Sequence, residues 1–176
     1  MSDIIEQIRG FRLTRNGLTA YAIALVVVVL DQLSKAWILG PFDLPDKVSV
    51  QVAPFFRLSF VENPGISYGL LQNYGGLGRW LLVLFAALVV IALAVWVAQA
   101  TRGLSVLAVG LIMGGAIGNN LIDRIRMGWV ADFLDFSPIG FKWVFNVADS
   151  AITIGVIVLL IDTFLTSRPP ATAAER

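Results

Sequence analysis

Two aspartates near the ends of apolar segments are the residues of this sequence best suited to chemistry. Asp132 lies in the stretch GWVADF at 128–133, and Asp149 lies in FNVADS at 145–150. A carboxylate near the hydrocarbon boundary is costly to hold there, so its presence points to a function. The chain contains no His and no Cys, which excludes a Ser-His-Asp triad, an HExxH zinc site and a thiol nucleophile. A membrane hydrolase built from this chain must use carboxylates, or Ser with Lys.

A pair of neighbouring carboxyl groups can hydrolyse a peptide bond by sharing one proton. Because two like charges at close range resist forming together, one group stays protonated near neutral pH. The charged group acts as general base on a water molecule, and the neutral group acts as general acid towards the carbonyl and the leaving nitrogen. Asp132 and Asp149 are the predicted pair, although each taken singly could also be an ordinary interfacial acid.

The composition places these acids in a membrane protein. Of 176 residues, 57% are hydrophobic and 14% are charged, whereas soluble domains carry about 25% charged residues. Four apolar runs are long enough, or nearly so, to cross about 30 Å of hydrocarbon, and they lie at 18–39, 80–98, 104–122 and 144–165. The net charge of +1 gives no reason to expect a nucleic-acid partner. The predicted fold class is an all-α membrane protein with four transmembrane helices, forming a single integral domain over residues 1–176.

The segment between the first two runs, residues 40–79, predicts a small β-containing cap. Residues 48–52 and 57–61 alternate apolar and polar side chains, as half-buried strands do, and Pro54 separates them. The Asn-Pro-Gly sequence at 63–65 predicts a turn at the end of the second strand.

The connection between the third and fourth runs, residues 123–143, is predicted as a loop that brings the two acids together. Gly and Pro at 137–140 allow it to fold back, so that Asp132 faces Asp149 at one membrane surface. Asn146 lies one helical turn before Asp149 and hence on the same helical face.

The basic residues before the first run determine the expected orientation. Charges that precede the first helix usually dominate topology, and here they are Arg9, Arg12 and Arg15. Both termini are therefore expected in the cytoplasm, with the cap and the acid pair on the extracytoplasmic side. The run lacks a small-x-small cleavage site, so we interpret it as an uncleaved anchor and not as a signal peptide.

Several polar residues elsewhere could support the pair. Asp31 and Lys35 are one helical turn apart and either neutralise each other or support the site. Asn63 is either a turn residue alone or an amide donor to a bound peptide. Arg124 can hold a carbonyl or a carboxylate with its fork of donors, and Asp123 beside it is expected to make structural contacts.

Other features of the sequence are explained by solvation or by packing alone. Asp135 has no partner visible in the sequence and is expected to be a solvated loop acid, and Asp162 is expected at the opposite interface. Gly110, Gly114 and Gly118 share one face of the third helix, which predicts close approach of a neighbouring helix there.

Five stretches of the sequence resemble the bacterial lipoprotein signal peptidase family, also called signal peptidase II. In chain order they are DQLSK at 31–35, NPGISYGLL at 63–71, GGAIGNNLIDR at 114–124, GWVADFLDF at 128–136 and FNVADSAITIG at 145–155. Each stretch alone is a weak signal, but the ordered set on four predicted membrane helices is specific.

The resemblance implies an aspartyl endopeptidase of the bacterial inner membrane, with its site near the periplasmic face. Such enzymes remove signal peptides from diacylglyceryl-modified prolipoproteins by cutting just before the lipidated cysteine, and globomycin-type cyclic peptides target them. The matching catalytic residues are Asp132 and Asp149. The matching supporting residues are Asp31, Lys35, Asn63, Arg124 and Asn146. The resemblance implies no metal and no cofactor; membrane lipid is the other expected partner, and a monomer is expected.

The sequence departs from the family pattern at one place. The family usually reads GGAxGNxxDR, whereas GGAIGNNLIDR has one extra residue before Asp123. Counting back from Asp123 selects Asn120, and counting forward from Gly118 selects Asn119. We favour Asn120 as a supporting residue because it keeps the spacing to Asp123 and Arg124.

Two other functions are compatible with parts of the sequence. One is a Ser/Lys membrane peptidase that uses Ser34 or Ser67 with Lys35, although neighbouring residues on a helix point about 100° apart, which is poor geometry for a nucleophile and its base. The other is a small proton-coupled carrier, because membrane carboxylates also relay protons. The second run has no charge, however, and the acids gather at one predicted surface.

Overall fold

The structure is a computed structural model that describes residues 14–65 and 76–167. Four of its helices are long and apolar enough to cross a membrane, namely α1 (Arg15–Leu39), α2 (Gly76–Val97), α3 (Gly103–Arg126) and α4 (Val147–Thr166). They coincide with the four predicted runs, with shifts at the ends. The basic residues at 9 and 12, the cap residues 66–75 and the tail from 168 lie outside the described residues.

Helix α3 continues beyond residue 122, where the predicted span ends, and its winding changes on the way. Gly103–Ala116 is α-helical, Ile117–Asp123 is π-helical and Arg124–Arg126 is α-helical again. A π-helical segment is wider than an α-helix and is frequently found at functional sites. The π-helical residues fall within GGAIGNNLIDR, the stretch that is one residue longer than the family pattern.

Glycines allow α3 to pack closely against its neighbours. A Cβ atom at Gly110 would lie 2.8 Å from the carbonyl oxygen of Ala20 in α1, and a Cβ at Gly155 of α4 would lie 2.7 Å from the carbonyl oxygen of Ala108. Only glycine permits such backbone contacts. The predicted close packing along the glycine face of α3 is therefore confirmed.

The outward faces of the helices are strongly apolar. Large side chains such as Leu25, Phe85, Leu88 and Phe164 are more than half exposed. Apolar surface of this extent is a liability in water, whereas lipid chains cover it without cost. The arrangement is that of a bundle surrounded by a bilayer.

One end of the bundle holds the start of α1 and the end of α4. The Thr14 hydroxyl caps α1 and donates to the Ala98 carbonyl oxygen just after α2, at 2.8 Å. Asp162, near the end of α4, accepts a hydrogen bond from Ser105 at the start of α3. The predicted placement of Asp162 away from the acid pair agrees with this contact.

A four-stranded antiparallel sheet covers the other end of the bundle. Its strands are β1 (Ser49–Ala53), β2 (Phe56–Asn63), β3 (Val130–Asp135) and β4 (Val144–Phe145), in the order β1-β2-β3-β4. The two strands predicted from the alternation at 48–52 and 57–61 are confirmed as β1 and β2, which pair antiparallel. A cluster of buried apolar side chains joins the sheet to the end of α1, formed by Ile38, Leu44, Leu58 and Phe133.

The connection predicted as a loop over 123–143 contributes a strand to this sheet, which corrects the prediction. Strand β3 pairs with β2 on one side and with β4 on the other. Because Val144 and Phe145 pair with β3, helix α4 begins at Val147 and not at 144. The structure is thus mostly helical with a small sheet, of which the sequence predicted only the first two strands.

Candidate active site

The carboxyl groups of Asp132 and Asp149 meet at Asn146. The side-chain nitrogen Nδ2 of Asn146 donates to Asp132 Oδ1 at 2.7 Å, and its backbone nitrogen donates to Asp149 Oδ2 at 3.2 Å. Both carboxyl groups therefore lie within hydrogen-bond distance of one residue. The structure brings the two sequence-predicted acids together at the end of the bundle that carries the sheet.

Local sequence rules explain the position of Asp149. Asn146 is the N-cap of α4, where its Oδ1 accepts the backbone N–H of Asp149 at 2.9 Å. Asp149 reaches back to the Asn146 backbone N–H, which completes a capping box. The spacing of three residues that places these side chains on one face also satisfies two backbone donors at the start of the helix.

Tertiary pairing positions Asp132. It lies within β3, and its neighbour across the sheet is Val61 of β2. Asn63, at the end of β2, donates from Nδ2 to Asp132 Oδ2 at 3.0 Å, while its Oδ1 accepts the Gly65 backbone N–H at 3.2 Å. Asn63 is therefore a turn residue that also donates to Asp132, and amide donation from Asn63 to a bound peptide stays a prediction.

The surroundings of Asp132 favour its protonated form. Burial raises the pKa of Asp132, and the charge of Asp149 raises it further, to about 7, against the opposing hydrogen bonds from Asn63 and Asn146. Only 3% of the residue is exposed. The carboxyl group can therefore gain or lose a proton near neutral pH, as general acid–base chemistry requires.

A buried charge network lies behind the pair. The Lys35 ammonium donates to Asp31 Oδ2 at 2.7 Å, to Asp123 Oδ2 at 2.5 Å and to Asn119 Oδ1 at 2.7 Å. Lys35 is 3% exposed and Asp31 is fully buried, so these charges depend on one another for solvation. The predicted contact of Asp31 with Lys35 is confirmed, as are the structural contacts of Asp123.

The network reaches Asp149 by two routes. Because Lys35 can only donate hydrogen bonds, it holds the oxygen of Asn119 towards itself. The amide nitrogen of Asn119 then donates to Asp149 Oδ1 at 2.8 Å. Asp31 Oδ1 in turn accepts the backbone N–H of Ala148 at 3.0 Å, which fixes the first turn of α4.

The two candidate asparagines occupy different positions. Asn119 contacts Lys35 and Asp149, whereas Asn120 accepts a hydrogen bond from Arg124 Nε at 3.0 Å. Asn119 and Asp123 are four residues apart, so they share one helix face and both reach Lys35, and the extra residue lies within the π-helical segment. The functional role favoured for Asn120 stays a prediction, and the geometry makes Asn119 the neighbour of the acid pair.

Arg124 points towards the β2 turn. Its Nη2 donates to the Gly65 carbonyl oxygen at 3.4 Å, and the residue is 6% exposed. Within residues 14–65 and 76–167, its buried Nη1 atom has no hydrogen-bond partner. Among those residues, one strong donor of the site is therefore unpaired.

Asp135 is not the solvated acid that the sequence suggested. It accepts from the Ser59 hydroxyl at 2.7 Å and lies 3.4 Å from Arg57 Nε. Although burial alone raises the pKa of Asp135, hydrogen bonds from Ser59 and Ser137 and the charge of Arg57 bring it below its usual value. Recognition of β3 as a strand paired with β2 would have predicted this contact.

Gln32 was missed by the sequence analysis. Its Nε2 donates to Asp31 Oδ2 at 3.1 Å and to Asp123 Oδ1 at 2.9 Å, so it bridges two carboxylates. The only sequence signal was its position between Asp31 and Lys35 on the same helix.

The geometry offers little to the Ser/Lys alternative. Ser34 donates to the Asp31 carbonyl oxygen at 2.8 Å, and the Lys35 side chain contacts Asp31 and Asp123, so neither side chain is directed at the other. Ser67 lies outside the described residues. Within the described ranges, no group of three or more His, Cys, Asp or Glu side chains is placed to hold a metal ion.

Comparison with known proteins identifies the family. The family model described as signal peptidase (SPase) II matches residues 23–165. This chain belongs to the signal peptidase II family. A lipoprotein signal peptidase of Caulobacter vibrioides is 55% identical over 153 residues, covering 87% of this chain and 90% of that protein. One from Beijerinckia indica subsp. indica is 45% identical, covering 80% and 84% respectively. A solved structure described as a bacterial membrane enzyme matches with a TM-score of 0.74 at 30% identity, covering 89% of this chain and 94% of that chain.

Membership of the signal peptidase II family makes the chain a peptidase, a hydrolase that removes signal peptides from prolipoproteins. Its four apolar helices and its membrane-enzyme neighbours make it a multi-pass membrane protein.

Proposed function

We propose that this signal peptidase II is an aspartyl endopeptidase that cuts diacylglyceryl-modified prolipoproteins just before the lipidated cysteine. Asp132 and Asp149 are the catalytic residues. The observation that carries the proposal is their common contact with Asn146, together with the pKa of about 7 for Asp132. The chain has no His or Cys that could act in their place.

The reaction follows from one proton shared between the two acids. The ionised carboxylate removes a proton from water as the water attacks the scissile carbonyl carbon, and the protonated carboxyl group donates to the carbonyl oxygen. The resulting tetrahedral intermediate collapses when the leaving nitrogen takes up a proton from the pair. Water attacks directly, so no acyl-enzyme forms.

The remaining polar residues hold the pair in place and receive the substrate. Asn63 and Asn146 orient Asp132. Asn119 orients Asp149, and a hydrogen bond from Lys35 holds the Asn119 amide in position. The available donor of Arg124 suits a substrate carbonyl oxygen. These groups are already positioned before substrate binds, which is the condition for efficient electrostatic catalysis.

The proposed setting is the bacterial inner membrane, with the site near the periplasmic face and both termini in the cytoplasm. The start of α1 and the end of α4 lie at the end of the bundle opposite the sheet, which supports this orientation. The sheet is then an extracytoplasmic cap. We propose that a single integral domain acts as a monomer without metal or cofactor, that substrate enters sideways from the surrounding lipid, and that globomycin-type peptides inhibit it.

Substitution of each acid tests the proposal. Asp132→Asn and Asp149→Asn should each abolish cleavage of a purified diacylglyceryl prolipoprotein without unfolding the protein. Asp162→Asn removes a carboxyl group at the far end of the bundle and should retain cleavage. Normal processing by either of the first two variants would refute the assignment.

Two further measurements separate the alternatives. Ser34→Ala should leave cleavage unchanged, whereas a Ser/Lys mechanism that uses Ser34 requires its loss. The wild-type protein should cleave the lipidated prolipoprotein and leave the unlipidated form intact. Equal cleavage of both would show that the substrate does not need the diacylglyceryl group.

A further inference from the structure

An apolar groove runs along the bundle between α2, α3 and α4. Its volume is about 360 Å³. Helix α2 contributes Phe85 and Val89, α3 contributes Ile112 and Asn120, and α4 contributes Ile152. Among the described residues that line the groove, Asn120 alone is polar and none is charged.

We propose that this groove holds one acyl chain of the substrate's diacylglyceryl group. The inference rests on the proposed function, because only a lipidated substrate carries such a chain. Asn120 marks the end of the groove next to the site, since it bonds to Arg124 and follows Asn119, the partner of Asp149. The groove therefore begins where the modified cysteine must lie.

The direction of the groove fits a chain that hangs from the site. From Asn120 back to Ile112 along α3 is about 12 Å at about 1.5 Å per residue. The bilayer core is about 30 Å thick, so the groove leads from the level of the acid pair towards the middle of the membrane. An acyl chain attached at the site must extend in this direction to stay in hydrocarbon.

The lining of the groove favours an acyl chain as its occupant. A groove of about 360 Å³ without a charged side chain among its described lining residues offers contacts to methylene groups and no partner for a charged group.

The benefit of such a groove is positioning and not affinity. An acyl chain gains little hydrophobic free energy when it moves from lipid into the groove, because both surroundings are apolar. A held chain does, however, restrict where the cysteine and the scissile bond lie relative to Asp132 and Asp149. Small displacements of a reacting group have large effects on rate.

A groove-filling variant and a matched control test the proposal. Val89→Phe adds bulk inside the groove, whereas Leu88→Phe adds the same ring on the lipid-facing side of α2, where Leu88 is 58% exposed. The substrates are one prolipoprotein peptide carrying either two palmitoyl or two butyryl chains. Val89→Phe should lower kcat/KM for the dipalmitoyl substrate by about tenfold or more and leave the dibutyryl substrate unaffected. Leu88→Phe should change neither.

Equal losses on both substrates, no loss on either, or the same loss in Leu88→Phe would overturn the proposal. A binding measurement makes it independent of catalysis. The Asp132→Asn variant is incubated with a lipidated peptide that carries a photoreactive diazirine near the middle of one acyl chain, and the crosslinked residues are mapped by mass spectrometry. Crosslinks are expected at Val89 or Ile112. Crosslinks confined to the outward-facing Leu84 and Leu88 would show that the chain lies in bulk lipid.

The two experiments distinguish the failure of each proposal. Cleavage by the wild type together with crosslinks outside the groove would refute the acyl-chain site and support the proposed peptidase activity. Crosslinks in the groove without cleavage of either lipidated substrate by the wild type would support the acyl-chain site and refute the proposed peptidase activity.

Discussion

Replacing Asp132 by Asn should stabilise the protein at alkaline pH while it removes activity. Burial and the charge of Asp149 raise the pKa of Asp132 from 3.8 to about 7. Between these two values the folded state binds more protons than the unfolded state, so stability is full below about pH 4 and falls as the pH rises through about 7. The uncharged amide of Asn at this position does not titrate, so the variant does not lose stability in this way as the pH rises.

The size of the effect follows from the pKa. One pKa unit corresponds to about 1.4 kcal/mol, so the shift from 3.8 to about 7 destabilises the wild type by at most about 4 kcal/mol above pH 7. The amide has a cost of its own, because Asp132 accepts from Asn63 and Asn146 and an NH₂ group must now face one of these donors. That cost is about 1–3 kcal/mol and does not vary with pH. The difference in stability between variant and wild type should therefore move by up to about 4 kcal/mol in favour of the variant between about pH 4 and pH 8.

Thermal unfolding in detergent, followed by tryptophan fluorescence, measures this difference. Proteins of this size change Tm by about 2–4 °C per kcal/mol, so the gap between variant and wild type should change by at most about 8–16 °C across the range. Asp135→Asn is the matched control. The pKa of Asp135 lies below its usual value in the folded protein, so its titration changes the free energy of unfolding only below about pH 4. Above that pH, the Tm of Asp135→Asn plotted against pH should run parallel to that of the wild type. A parallel curve for Asp132→Asn would refute the reasoning about the buried carboxyl group.

Three more predictions follow from the same site. The rate of cleavage of a lipidated substrate should fall as the pH rises above about 7, because the pair then loses the proton that Asp132 donates; an unchanged rate from neutral to alkaline pH would contradict this. Asn119→Ala should lower kcat by about tenfold or more and Asn120→Ala by less, since only Asn119 contacts Asp149; the reverse order in a cleavage assay would restore the preference for Asn120. Lys35→Met should destabilise the protein by about 3–5 kcal/mol, because it leaves Asp31 and Asp123 buried without their counter-charge. Thermal unfolding of this variant with and without a compensating Asp123→Asn change should show partial recovery in the double variant.

Hydropathy and short-range rules were enough to predict the helices and one half of the candidate site. The four apolar runs are continuous in the chain, so length and composition sufficed to find α1 to α4. The spacing of Asn146 and Asp149 is a local helix-start pattern, and the structure realises it as a capping box. Asp31 and Lys35 are likewise one turn apart on a single helix. In each case the interacting groups are close in sequence, where backbone geometry alone determines their distance.

Long-range pairing decided what the chain order could not reveal. Asp132 and Asp135 were assigned to a loop because β3 is short and its pairing partners, β2 and β4, are contributed by other parts of the chain. Strand pairing over such distances leaves no periodic signal in the strand itself, so the burial of Asp135 against Ser59 and Arg57 was invisible.

The choice between Asn119 and Asn120 depended on the winding of one helix turn. Counting residues presumes a regular α-helix, in which one extra residue rotates every later side chain by about 100°. The winding over Ile117–Asp123 is π-helical and not regular, and Asn119 and Asp123 both contact Lys35. Local composition specifies that a helix forms here. The ammonium group that both side chains contact belongs to α1, which is a distant part of the chain. Only the packing of α1 against α3 therefore determines which asparagine reaches it.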